Sequence, residues 1–368
     1  MKKSRKAVSS LVKAFMLPYK MFSAQKLIRR TLSQSGMQSA MKSATKAAKL
    51  QFNAAGISKE HNLYRTGLFE KNVKTPPTLD MGMSRERYDC AFGARDYLLF
   101  LPRNKRSKPK GLLLMLHGCT QTSSDFARGT NMANLAQQKN FIVAFPEQSR
   151  GANAQTCWNW FERGDQERDL GEPAILAGMA QSLSASHGIS DDQIYVAGFS
   201  AGAAMAVILG ETYPDVFAAI GVHSGLPYRA AHSVASALAA MGGKSMPQKT
   251  AGKLSPSVPL IIFHGTEDKI VAPKNAKQIV SATVQRNPTI TSEIEVKRPG
   301  ASRSKQKNAT CIRHVTSQGQ IAIEEWQIDG LGHNWSGGNL SGSYTDPTGP
   351  DASKLMLKFF FGSQMRPQ

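Results

Sequence analysis

The chain has 368 residues, 41% of them hydrophobic, and a formal net charge of +20 at pH 7. That is enough apolar material for one large α/β domain or two ordinary ones. The charge resembles a nucleic-acid signature until it is located: residues 1–59 hold 13 Lys or Arg and no Asp or Glu, so 13 of the 20 excess charges belong to a tail. The rest of the chain carries an ordinary charge for a globular body, and no nucleic-acid partner is expected, because Phe15, Tyr19, Phe22 and Phe52 form no stacking pattern.

Residues 1–70 read as a basic N-terminal extension. Leu11, Val12, Phe15, Met16, Tyr19, Phe22 and Ile28 recur at near-helical spacing among lysines, the pattern of an amphipathic helix at an anionic or apolar surface. The Ser-rich, acid-poor composition also fits a transit peptide, and a soluble, partly disordered extension fits as well. A cleavable secretory signal fits poorly, because Lys13 and Lys20 confine the apolar run to Ala14–Tyr19, below the ~7–15 residues of such a core. No run approaches the ~18 apolar residues of a membrane span. Lys74-Thr75-Pro76-Pro77 reads as a linker, since paired prolines stop regular structure.

Beyond the linker, strands and helices alternate. Tyr97–Leu101 is a predicted strand stopped by Pro102, and Gly111–Leu116 is a continuous apolar run, as in a strand buried on both faces. One helix is expected over Asp125–Lys139, then a buried strand over Phe141–Phe145, and a helix over Pro173–His187 ending at Gly188. Ile194–Ala197 and the helix-prone Ala203–Leu209 flank Gly198-Phe199-Ser200-Ala201-Gly202. Strand, G-x-S-x-G, helix is the sequence form of a nucleophile elbow, in which glycines permit a sharp turn and leave the serine hydroxyl at the tip. Ala218–Val222 and Pro259–Phe263 are further strands. Ala230–Ser257 between them reads as a mobile cap or a surface helix with a loop, and Asn287–Asn308 as an exposed connection. Cys311–Val315 and Ile321–Ile328 form a hairpin turned at Ser317-Gln318-Gly319, and a helix over Ala352–Phe360 closes the domain. Strands alternating with helices predict an α/β fold, a mostly parallel doubly wound sheet with helices on both faces and sites at strand C-terminal ends.

A serine hydroxyl needs a base, and the base an orienting acid, in the chain order Ser, Asp/Glu, His for this fold. Asp268 lies just past the strand Leu260–Phe263, with Glu267 as its adjacent competitor. His333 sits in the Gly-flanked loop Gly330-Leu331-Gly332-His333 after Ile321–Ile328, while the other seven histidines end buried strands or lie in helical or exposed contexts. His117-Gly118-Cys119-Thr120 comes after a buried strand, where an oxyanion loop donates a backbone N–H, and the amide of Ala201 is the second expected donor. Trp158, Trp160 and Trp335 are aromatic candidates for an apolar acyl chain, against the alternative of core packing. Cys90, Cys119, Cys157 and Cys311 lack C-x-x-C spacing, so no metal site is expected, and the disulfide pairing stays open.

At this point the chain resembles the poly(3-hydroxybutyrate) depolymerase family of esterases, a branch of the α/β-hydrolases. The resemblance rests on LHGCTQ (116–121), CWNWF (157–161), GFSAGAAMA (198–206), YPDVFAAIGVHSGLPY (213–228), HGTEDKIV (264–271), GLGHNWSGG (330–338) and GPDASKLMLKFF (349–360). It covers residues 85–362 and implies a serine esterase without metal or cofactor, with Ser200 as nucleophile, Asp268 as acid, His333 as base and the amides of Cys119 and Ala201 as oxyanion donors. It further implies a cleft lined by the CWNWF and HNWSGG segments, a Cys119–Cys157 disulfide, and an extracellular or periplasmic location, against a cytoplasmic alternative. Poly(3-hydroxybutyrate) or its oligomers are the implied substrate. The family is also similar to feruloyl and acetylxylan esterases acting on plant polysaccharides. A different class of reading, a non-catalytic binding protein held by its basic extension on a granule or membrane surface, is discriminated by whether Ser200 reacts with a fluorophosphonate.

Overall fold

The computed structural model describes residues 82–103, 107–244, 258–300 and 306–362. The basic extension, its surface contacts and the Pro76-Pro77 linker lie outside them. The described residues belong to one compact unit, Thr78–Gln368.

Ten strands make one sheet: β1 (Met83–Cys90), β2 (Gly93–Phe100), β3 (Leu112–Leu116), β4 (Ile142–Pro146), β5 (Ile194–Phe199), β6 (Ala219–His223), β7 (Leu260–Gly265), β8 (Ile290–Arg298), β9 (Ala309–Thr316) and β10 (Ile321–Ile328). Their order is β1-β2-β4-β3-β5-β6-β7-β10-β9-β8. The run from β4 to β10 is parallel, with Leu113 opposite Tyr195 and Gly198 opposite Val222 in register, and antiparallel strands finish both ends. A short parallel pair, β11 (Trp335–Ser336) with β12 (Thr345–Asp346), stands apart.

The apolar runs form the middle strands because both of their faces are covered. Leu112, Leu114 and Leu116 pack in one cluster with α3 (Gly171–His187), α4 (Ala201–Thr212) and α6 (Lys274–Arg286), while Leu113 and Met115 pack in the other with α1 (Ser123–Thr130), α2 (Met132–Lys139) and α7 (Ala352–Gly362). Helices thus lie on both faces, as expected, and the architecture is that of the α/β-hydrolases.

Three local expectations need correcting. The single helix over Asp125–Lys139 is two, α1 and α2, because Asn131 adopts φ 55° and breaks the ladder. The connection Asn287–Asn308 contains strand β8, an edge strand in which Ile290, Ile294 and Val296 share one face but are interleaved with charged residues and largely exposed. Strand β1, equally polar, also precedes the first strand read from sequence. Within the segment 230–257, α5 (Val234–Met241) is a helix capped by Ser233, and the rest of the cap-or-loop question lies outside the described residues.

Candidate active site

The elbow is dictated by two glycines. A Cβ on Gly202 would fall on the Leu116 carbonyl of β3, and one on Gly198 would fall on the backbone of Gly202 itself. Only with both bare can α4 approach the sheet closely enough for the turn to form. Ser200 sits at the tip with φ 55° and ψ −117°, a strained conformation for a residue with a side chain. Its own amide donates to the His223 carbonyl at 2.9 Å, which anchors the tip to the end of β6.

Three strand ends converge there. The Ser200 hydroxyl Oγ is 3.0 Å from His333 Nε2, and His333 Nδ1 is 2.8 Å from Asp268 Oδ2. Asp268 lies just past β7 and is buried, whereas Glu267 is exposed; the structure therefore brings Asp268 and not its neighbour to the imidazole. Burial by itself would raise the Asp268 carboxyl, but the His333 hydrogen bond, the nearby His264 ring and the Val271 amide together hold it below its ordinary value. Its other oxygen, Oδ1, accepts from the amides of Ile270 and Val271 at 3.0 and 2.9 Å. An ionised Asp268 makes Nδ1 the protonated nitrogen of His333, leaving the Nε2 lone pair toward the serine.

Of the two expected oxyanion amides, that of Ala201 directly follows Ser200, and that of Cys119 comes just after β3, the strand paired with β5. Ala201 is the first residue of α4, where amides have no intrahelical partner. Cys119 lies just past β3, and its amide takes part in none of the hydrogen bonds that tie down its neighbours among the described residues. The turn holding it is heavily fixed. His117 Nε2 accepts from the Gln148 amide at 3.1 Å, so the proton is on Nδ1, which donates to the Gly118 carbonyl at 2.8 Å. That carbonyl and the Cys119 N–H belong to one trans peptide plane and point oppositely. Orienting one orients the other. Gln121 Oε1 accepts from the Gly118 amide at 2.9 Å, and Cys119 is disulfide-bonded to Cys157 with S–S 2.01 Å.

The tryptophans do not line an open cleft. Trp158, Trp160 and Trp335 are 0%, 5% and 1% exposed. Trp158 donates its indole N–H to the His117 carbonyl at 3.0 Å, and Trp335 donates to Ser353 while stacking on His223. Trp158 and Trp335 are corrected from substrate contacts to packing beneath the His117 and His333 loops, since a fully buried ring with a satisfied N–H has no face left for a ligand; Trp160 is buried edge-on against Phe161.

A buried polar network unseen in the sequence stands behind the turn. Glu172, at the start of α3, accepts from Arg95 at 3.0 Å, from the amide and side chain of Asn159 at 2.7 and 2.9 Å, and from Gln148. It thereby couples the segment containing Cys157 and Trp158 to Gln148 and so to His117. Burial and neighbouring Asp165 push the Glu172 carboxyl up, against the pull of Arg95 and these donors. Glu172→Gln removes the carboxylate bonded to the buried Arg95, leaving Asp165 as the nearby acid, and we expect a loss of about 3 kcal/mol in urea-denaturation stability. An unchanged midpoint would show that this ion pair carries no net stabilisation.

His117, His223 and His264 are all buried beside the site, and burial lowers each below the ordinary imidazole value. Each therefore binds a proton more readily in the unfolded chain than in the fold. Asp165 and Glu172, raised by burial, work in the opposite direction; the histidines are expected to dominate between about pH 6 and pH 5, where unfolded imidazoles bind protons. Stability present at neutral pH therefore declines as pH falls, and the urea midpoint is expected to be lower at pH 5 than at pH 6. A midpoint that rises over that interval would contradict this expectation.

Comparison with known proteins places these features in a family. A family model described as "Esterase PHB depolymerase" matches residues 95–307. The chain is 33% identical over 237 residues to poly(3-hydroxyalkanoate) depolymerase C of Paucimonas lemoignei, covering 60% of this chain and 54% of that protein. It is 26% identical over 193 residues to a probable acetylxylan esterase A of Neosartorya fischeri, covering 48% of this chain and 51% of that one. The chain thus spans about half the length of the curated relatives it matches. An acetyl xylan esterase structure from Aspergillus awamori has the same fold, with TM-score 0.53 at 19% identity, covering 68% of this chain and 94% of that one.

Proposed function

The chain belongs to the PHB-depolymerase family of esterases, and from that premise we propose that it hydrolyses carboxylic esters through an acyl-enzyme on Ser200. The observation that carries this reading is the hydrogen-bonded sequence Asp268–His333–Ser200, drawn from the ends of three separate strands. His333 Nε2 takes the Ser200 proton as Oγ attacks the ester carbonyl, and the resulting imidazolium is stabilised by ionised Asp268. The amides of Cys119 and Ala201 receive the oxyanion of the tetrahedral intermediate. His333 then protonates the departing alcohol, and water, activated by the same nitrogen, hydrolyses the acyl-enzyme. No metal or cofactor is needed for any of these transfers.

The substrate we assign is poly(3-hydroxybutyrate) or its oligomers, supported by the family and by the depolymerase relative. Esters of plant polysaccharides are the second reading, favoured by the likeness to acetylxylan esterases. The Cys119–Cys157 disulfide supports an oxidising workplace, extracellular or periplasmic. Rates of the full chain on a 3-hydroxybutyrate trimer, acetylated xylan and methyl ferulate test the assignment. The trimer is expected to have the highest kcat/KM. A protein inert toward all three and unlabelled by a fluorophosphonate would refute ester hydrolysis itself.

A further inference from the structure

With the tryptophans buried, the site needs another apolar wall. Of the exposed large aromatics among the described residues, Phe92 lies in the β1–β2 turn and Tyr344 lies beside the catalytic groups. Tyr344 is 37% exposed, and its ring centroid is 6.3 Å from that of Phe199, which is itself 4.8 Å from His333. Its hydroxyl is 3.2 Å from Thr120 Oγ1, next in sequence to the oxyanion residue Cys119. The Thr120 hydroxyl proton is already donated to the Cys119 carbonyl at 2.6 Å, so Tyr344 is the donor in that pair. The ring therefore spans the site from the histidine side to the oxyanion turn.

Its exposure is enforced. Tyr344 holds φ 51°, an uncommon conformation for an aromatic residue, and the loop around it is pinned to α1. Ser343 donates to Asp125 from its amide at 3.1 Å and also from its hydroxyl, Asn339 donates to the Gly129 carbonyl at 2.8 Å, and Arg128 donates to the Ser341 carbonyl at 3.2 Å. Gln121, which fixes the oxyanion turn, also donates to Ser343. The same loop carries Leu340, 75% exposed. An apolar surface kept strained and wet next to a reactive serine gains free energy when a ligand covers it.

We propose that Tyr344 determines specificity by packing its ring against the apolar chain of an extended acyl substrate, such as the methyl-bearing backbone of a hydroxyalkanoate oligomer. This rests on ester hydrolysis at Ser200. The test compares kcat/KM for a 3-hydroxybutyrate trimer with that for p-nitrophenyl acetate, in the full chain and in Tyr344→Ala, Tyr344→Leu and Tyr344→Phe. The trimer-to-acetate ratio is expected to fall about tenfold in Tyr344→Ala through a higher KM for the trimer. Tyr344→Leu should fall between, and Tyr344→Phe, which keeps the ring, should hold the parent ratio. Equal losses on both esters, or an unchanged ratio in Tyr344→Ala, would overturn the proposal while leaving Ser200 chemistry standing. A parent chain inactive on both esters would instead remove the reading on which it rests.

Discussion

Ser200→Ala is expected to lower kcat on a soluble ester by about 10⁶-fold while KM and the thermal midpoint stay near those of the parent chain. The hydroxyl is the only group lost. The amide of residue 200 still donates to the His223 carbonyl, and α4 and β5 keep their packing, because the close approach depends on Gly198 and Gly202. Binding and the oxyanion amides persist, so a residual rate of about 10³–10⁴ over water is expected. Stopped-assay rates with and without a fluorophosphonate separate this residue from trace contamination. Substantial turnover by the alanine variant would remove Ser200 from the chemistry. A corollary concerns strain: Ser200→Gly, equally inactive, should melt at a higher temperature than Ser200→Ala, since glycine adopts φ 55° without a steric penalty.

Asp268→Asn carries the second large effect, about 10⁴-fold in kcat, for a reason visible in the hydrogen bonds. The amides of Ile270 and Val271 demand an acceptor at the Oδ1 position. An asparagine must keep its oxygen there and turn its amide nitrogen toward His333 Nδ1. Facing a donor, Nδ1 becomes the acceptor, and the imidazole proton moves to Nε2, where it confronts the Ser200 hydroxyl. The geometry survives and the base does not. Imidazole NMR should report the exchange of protonated nitrogen, and Glu267→Gln, altering an exposed carboxylate, should retain nearly full activity. If Glu267→Gln were the more impaired variant, the acid would be misassigned.

The parts of this site that were legible in the sequence are those that close packing forces into a local pattern. Gly198 and Gly202 must be glycine because backbone lies where their side chains would be, and the five-residue runs at β3 and β4 are apolar throughout because helices cover both faces. The tryptophans were not legible in the same way: indole rings are equally at home in a cleft and under one, and only neighbours distant in sequence decide between them. Strand β8 escaped because its alternation of Ile290, Ile294 and Val296 is broken by Ser292 and interleaved with charges, as a largely exposed edge strand tolerates. The Glu172 network escaped because its members come together over separations such as 77 residues from Arg95. Nothing near Glu172 distinguishes it from a solvated glutamate at the start of a helix. Tyr344 is a similar case, readable only once its neighbours Thr120 and Phe199 are in place.

The span between nucleophile and base has a consequence in time. Ser200 and His333 are 133 residues apart in the chain, and the loop bearing the histidine is secured by contacts from residues 339–346 back to α1. At roughly 5–20 residues per second, the ribosome exposes the elbow roughly 7–27 seconds before it releases the imidazole that activates it. Throughout that interval the serine is an ordinary alcohol. On the proposed mechanism the nascent chain thus stays unreactive toward esters until nearly all of the described domain has been translated and docked.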